Sequence, residues 1–172
     1  MSRVFFVIMC ACCTVGLKLW AVACYTGYCF VSYTDGGFVG DPMLREWDSC
    51  PLGRTCRMVL FVLFGACPLL AEQLRESGTY VAMDNFFTSP ILFLCLLLQG
   101  VFAVGTLREI HRGASHAVRY WKATKQIPKE RGDMAFARFG LLSFTQWKDK
   151  RLVRFASTIH VLKEHFIPLA HR

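Results

Sequence analysis

The acid best placed to do chemistry in this sequence is Asp84, in the run Val81-Ala-Met-Asp-Asn-Phe-Phe-Thr-Ser-Pro90. It closes a short apolar segment, Tyr80 to Met83, long enough only for a buried strand. It precedes a helix-start signal, Thr88-Ser89-Pro90, in which hydroxyl residues are followed by a proline in the first turn. A carboxylate at a strand end is a hard oxygen donor that suits Mg²⁺ when other carboxylates converge on it. Alone, it reads as an acid that caps the helix beginning near Thr88.

The second candidate is electrostatic. Residues 1–84 carry six Lys/Arg against seven Asp/Glu, whereas residues 85–172 carry 14 against five. A basic half points to a polyanion or an acidic membrane surface. Within it Arg108, Arg112, Arg119, Lys122, Lys125, Lys129 and Arg131 form a basic stretch whose chemistry suits DNA phosphates, with affinity that falls steeply with salt. Its alternative is solvated loop charge. The nine cysteines all lie in the first 95 residues, mostly inside apolar runs. They show no paired CxxC spacing, so they read as small buried hydrophobes rather than metal ligands. The five histidines are scattered through the basic half with no HExxH spacing.

These residues need elements to hold them. With 172 residues the chain suits one domain with a sizeable core. Met1 to Val15, with Arg3 before an apolar run, resembles a signal peptide or anchor, but a strand pattern begins directly after it, so an unrelated start joined to the domain is the favoured reading. Gly16 to Cys24 and Tyr28 to Thr34 read as a strand hairpin, followed by an Asp35-Gly-Gly turn and a loop through Phe38 to Gly53. Arg57 to Glu76 reads as a helix split at Pro68. Ile91 to Gln99 is a helix apolar on all sides, and Val101 to Leu107 a strand. The basic stretch is too irregular to assign. Phe136 to Trp147 and Leu152 to Thr158 read as a strand pair around Lys148-Asp-Lys-Arg151.

Hydropathy requires a membrane test, because 54% of residues are hydrophobic and mean hydropathy is +0.37. The longest charge-free run, Asn85 to Leu107, has 23 residues. Its apolar helix is only Ile91 to Leu98, far short of the ~20 residues a span needs. A buried helix beside a sheet is the expectation; a small membrane-anchored protein using the N-terminal and 91–104 segments is the alternative.

The order of these motifs resembles a known family. Met83-Asp84-Asn85-Phe86-Phe87-Thr88-Ser89-Pro90 is similar to the signature around the second catalytic aspartate of piggyBac-type transposases of the DDE superfamily and the genes derived from them. Gly16-Leu-Lys-Leu-Trp20 with Thr26-Gly-Tyr28 resembles that family's first strand pair. Val104-Gly-Thr-Leu-Arg108, Pro128-Lys-Glu-Arg-Gly132, Trp147-Lys-Asp-Lys150 and Ser157-Thr-Ile-His160 resemble later segments, so the likeness runs over roughly residues 16–162. It implies an α/β fold, a partial RNase H-like core with a mixed sheet and flanking helices. Residues 1–15 are then a non-family segment and 163–172 a tail.

The resemblance also implies divalent-metal chemistry on DNA, with Mg²⁺ held by three aspartates, since two metals about 3.5–4 Å apart must clamp the reacting oxygens. Of the three, only Asp84 has a counterpart here. The family's first aspartate is expected just before Thr-Gly-Tyr, where this chain has Ala23-Cys24-Tyr25, and a thiol is a poor Mg²⁺ ligand. The segment of the third is not found before Arg172. Asp35, Asp41 and Asp48 sit in turn and loop sequence, poorly placed to substitute. The expectation is a transposase-derived domain without catalysis and without a bound cofactor. Its Asp84 is vestigial, a metal ligand only if activity survives. Residual association with DNA, or with a full-length transposase-like protein, and a nuclear location follow from the resemblance; a membrane partner does not.

Overall fold

Val4–Val7, all β-branched or aromatic, form strand β1. The hairpin expected from the aromatic runs follows as β2 (Lys18–Cys24) and β3 (Cys29–Asp35), paired antiparallel with a register shift between Val22 and Ala23. Gly27, at φ 85°, takes a backbone conformation in the turn between them that residues with a Cβ seldom adopt. The computed structural model describes residues 4–7, 18–24, 26–35, 52–75, 79–108 and 115–159.

Helix α1 (Arg54–Leu60) runs on into a π-helical turn, Phe61–Gly65, where the Ala66 N–H donates to the Phe61 carbonyl at 2.8 Å. Met58 through Leu63 are all buried, whereas the later helix Pro90–Leu98, equally apolar in sequence, leaves Ile91 and Leu98 exposed. The bent pair Arg54–Gly65 and Pro68–Arg75 turns through 94°. The second of these, α2 (Pro68–Arg75), has Pro68 as its first residue, where the missing N–H costs nothing. Strand β4 (Tyr80–Met83) leads past Asp84 into α3 (Pro90–Leu98), and β5 (Phe102–Thr106) follows. Helix α4 (Ser115–Ala123) precedes three strands, β6 (Met134–Phe139), β7 (Leu142–Lys148) and β8 (Leu152–Ser157).

Among the described residues the strands form one eight-stranded sheet in the order β3-β2-β1-β4-β5-β8-β7-β6. β1 pairs parallel with β4, and β4 with β5; every other pairing is antiparallel. The architecture is the mixed α/β sheet with flanking helices that the sequence implies. One continuous core runs from Trp20 and Val22 through α1, α2 and α3 to Trp121 and Phe144.

Four local differences separate structure from sequence expectation. Val4–Val7, set apart as a non-family N-terminal segment, form a strand inside the sheet between β2 and β4. The segment held too irregular to assign contains α4, whose Ala117 and Trp121 are buried one turn apart. The strand expected from Phe136 to Trp147 is two, because Gly140 at φ 60° reverses the chain between Phe139 and Leu142. Ser89 occupies the N-cap position of α3 without a side-chain capping bond; the Thr88 hydroxyl donates to the Asp84 carbonyl at 3.0 Å instead. Among the described residues no single helix is long and apolar enough to cross a membrane. The α1–α2 pair passes that test by length and composition only, and is bent by 94°.

Candidate functional site

Asp84 leaves the carboxyl end of β4 because the chain turns there: the Phe87 and Thr88 N–H groups both donate to its carbonyl, at 3.0 and 3.1 Å. Its side chain is exposed, and one carboxylate oxygen accepts a 3.3 Å hydrogen bond from the Thr106 hydroxyl at the end of β5. The backbone, not the carboxylate, therefore braces the turn into α3. Gly105 opposite Met83 leaves room for this arrangement. A Cβ at Gly105 would stand 2.7 Å from the Met83 carbonyl oxygen and closer still to Thr88 Oγ1.

Register decides what else reaches Asp84. β1 and β4 are parallel with Val7 opposite Met83, so the chain leaving β1 meets the same rim of the sheet as Asp84. The residues that follow, Ile8 to Thr14, include no acid, and they lie outside the described residues. Cys24, expected beside Asp84 as the remnant of a first aspartate, is instead at the far end of the sheet. It ends β2, which runs antiparallel to β1 and sets Cys24 against Phe5. There its thiol lies 2.8 Å from Thr26 Oγ1, a hydrogen bond that holds it below the usual thiol range. Asp35 lies on β3, three strands from β4, about 14 Å at ordinary strand spacing. Asp41 and Asp48 fall outside the described residues.

The basic candidates divide. Arg108 follows β5 on the Asp84 rim, where its Nε donates to Asn85 Oδ1 at 3.0 Å and its guanidinium stands over the Phe86 ring. Arg112 is outside the described residues. Arg119 and Lys122 are exposed on α4, with Arg119 Nη2 3.3 Å from His116 Nδ1. Lys125, at φ 56°, ends α4 in the left-handed conformation often found just past a helix. Lys129 and Arg131 are exposed in the loop before β6, and Arg131 pairs with Asp149 at 2.9 Å.

That last ion pair ties the loop to a feature missed in the sequence. β8 runs antiparallel to β5 with Phe155 opposite Thr106, and the Leu107 N–H donates to the Arg154 carbonyl at 2.8 Å. The start of β8 and the turn before it therefore emerge on the Asp84 rim. That turn carries Lys148, Lys150 and Arg151. The Gly132 N–H bonds the Lys148 carbonyl at 2.7 Å, and the Lys148 N–H bonds the Asp133 carbonyl at 2.9 Å, which brings Lys129 and Arg131 to the same rim. From β4 to β6 is four strand steps, so the basic rim runs about 19 Å. The sequence shows the turn; only the strand order shows that it joins Arg108.

Among the described residues, no group of three or more His, Cys, Asp or Glu is placed to hold a metal ion. Among the described residues, the groups around Asp84 are the Thr106 hydroxyl, the Asn85 amide and the Arg108 guanidinium.

The family model described as Transposase IS4 matches residues 2–168 of this chain. Among solved structures, the chain is similar to a piggyBac transposase determined by cryo-electron microscopy in a synaptic complex with hairpin DNA, at 17% identity and a TM-score of 0.65. The likeness covers 95% of this chain and 34% of that one, so this chain spans about a third of that transposase. No curated protein matches.

Proposed function

We propose that this chain, which belongs to the Transposase IS4 family, is a piggyBac-type transposase-derived domain that contacts DNA and does not itself cut it. The observation that carries this reading is the composition of the Asp84 rim. Beside Asp84 stand Thr106, Asn85 and Arg108, and beyond them Lys148, Lys150, Arg151, Lys129 and Arg131. Family chemistry with Mg²⁺ needs hard, anionic donors from several elements. The described donors here fit such a pair of ions poorly, and no reaction step is assigned to them.

The same rim suits phosphate. A row of cations about 19 Å long, with Arg131 partly neutralised by Asp149, spans roughly five phosphates of one strand at 3.4 Å each. Contacts of this kind position a protein on DNA without reading sequence. A nuclear location would go with such a role, and the hairpin DNA in the piggyBac transposase complex supports the DNA-contact reading. Two measurements test the proposal. Supercoiled plasmid incubated with Mg²⁺ or Mn²⁺ should be nicked no faster by the wild-type chain than by Asp84→Ala; faster nicking by the wild type would overturn the loss of catalysis. The logarithm of the affinity for a short duplex should fall linearly with log salt; a flat response would overturn DNA contact.

A further inference from the structure

Phe86 is the odd residue of the Asp84 rim. Its neighbour Phe87 is 6% exposed, while Phe86 is 46% exposed beside polar groups. The ring is nevertheless held from behind. It stands edge-to-face with Phe87, centroids 4.8 Å apart, and Phe87 packs on buried Trp20 at 5.6 Å. Arg108 places its guanidinium 6.0 Å from the ring centroid, and its Nε is anchored to Asn85 Oδ1. That bond uses Nε and leaves the two Nη groups to address an anion.

We propose that Phe86 and Arg108 form a stacking platform for an unpaired base of DNA, with Arg108 also engaging that nucleotide's phosphate. The proposal rests on the DNA-contact reading above. A fixed aromatic ring with solvent-facing surface, a cation against it and a basic rim continuing from it together match the two halves of a nucleotide. Stacking accepts any base, since every base has a π-face. The cation adds its own attraction to the ring system. A paired base hides its faces in the duplex stack, so the platform distinguishes single-stranded or unpaired nucleotides from duplex, which the remaining rim cations bind in any case.

Fluorescence anisotropy on the full chain, with one oligonucleotide offered as a single strand and as a blunt duplex at the same salt, tests this. Phe86→Leu keeps the apolar bulk over Phe87 and removes the π-face. It is expected to weaken single-strand binding on the order of ten-fold while leaving duplex binding within about two-fold. Phe86→Trp is expected to restore single-strand affinity, with its emission quenched by the single strand and not by the duplex. A circular-dichroism melt checks that both variants fold. Single-strand binding by Phe86→Leu equal to wild type, or equal weakening of both DNA forms, would overturn the platform. The first of these, with the linear salt response intact, would leave the DNA-contact reading standing. No salt-dependent binding by the wild-type chain would overturn that reading and the platform with it.

Discussion

Replacing Gly105 by alanine is the sharpest probe of the Asp84 neighbourhood. The added methyl would come within 2.7 Å of the Met83 carbonyl oxygen, and nearer to Thr88 Oγ1, with Thr88 Cβ at 3.3 Å. Thr88 is 1% exposed, and its hydroxyl donates to the Asp84 carbonyl at 3.0 Å, so it has no open space to turn into. Overpacking of this kind costs about 1–3 kcal/mol, and displacing the buried hydroxyl from its acceptor adds about 1 kcal/mol. A loss near 3 kcal/mol is a large share of the roughly 5–15 kcal/mol that holds a domain together. In a chain of this size it lowers Tm by roughly 6–12 °C. Urea unfolding of wild type, Gly105→Ala, Thr88→Ala and the double variant closes a cycle. Since Thr88→Ala removes the Oγ1 that the methyl would strike, the double variant should lose at least about 1 kcal/mol less than the two single losses together. Gly105→Ala within about 0.5 kcal/mol of wild type, or strict additivity, would refute the reasoning.

Trp121, 2% exposed on α4, is expected to cost about 3–5 kcal/mol as Trp121→Ala, read by urea unfolding, because the helix has little else to bury. Exchange of Lys148, Lys150 and Arg151 together for Gln should lower the slope of log affinity against log salt for duplex DNA by about two to three, without moving the melting curve. Cys24 should be alkylated by iodoacetamide at lower pH than an ordinary thiol, because the Thr26 hydroxyl favours its thiolate. Its rate rises as pH climbs through the lowered pKa, and Thr26→Val should move that midpoint upward, as mass spectrometry of the labelled peptide would record. Asp84→Asn should tighten duplex binding about three-fold at low salt, since a unit charge about 6 Å from a phosphate in water costs about 0.7 kcal/mol. Weaker, Mg²⁺-dependent binding by the same variant would point to a working metal ligand instead.

Much of the fold was readable where one segment decides its own structure. The run Tyr80 to Pro90 announces a strand, a turn and a helix start, and β4 and α3 follow it closely. Pro68 announces its own break for the same local reason. β1 was not readable in this way: four apolar residues after an early cation carry the same pattern at the start of a leader as in a strand, and the strand shows only through its pairing with β2 and β4. α4 was hidden because its apolar share is small, with Ala117 and Trp121 one turn apart among cations. The basic rim was invisible for a different reason. Arg108, the 129–133 loop and the 148–151 turn are distant in sequence and become neighbours only through the antiparallel order of β5, β8, β7 and β6. A charge count over the C-terminal half finds the cations but not the surface.

The run around Asp84 is, in this structure, mostly a folding motif. Met83 is opposite Gly105 in the sheet, Phe87 fills the core against Trp20, and Thr88 binds the turn's carbonyl. Pro90 occupies the first helical position of α3. Asp84 contributes its carbonyl to the turn, which any residue supplies, while its carboxylate is exposed and makes one long bond to Thr106. Turn and helix therefore cost the chain nothing in chemistry, and the carboxylate costs nothing in folding. A site built this way keeps its shape whether or not it reacts, so a strand end, turn and helix that match a transposase are expected here with or without the transposase's reaction. The charge brought beside the motif is six cations, Arg108, Lys129, Arg131, Lys148, Lys150 and Arg151, against Glu130, Asp133 and Asp149, so the surface beside Asp84 is net positive.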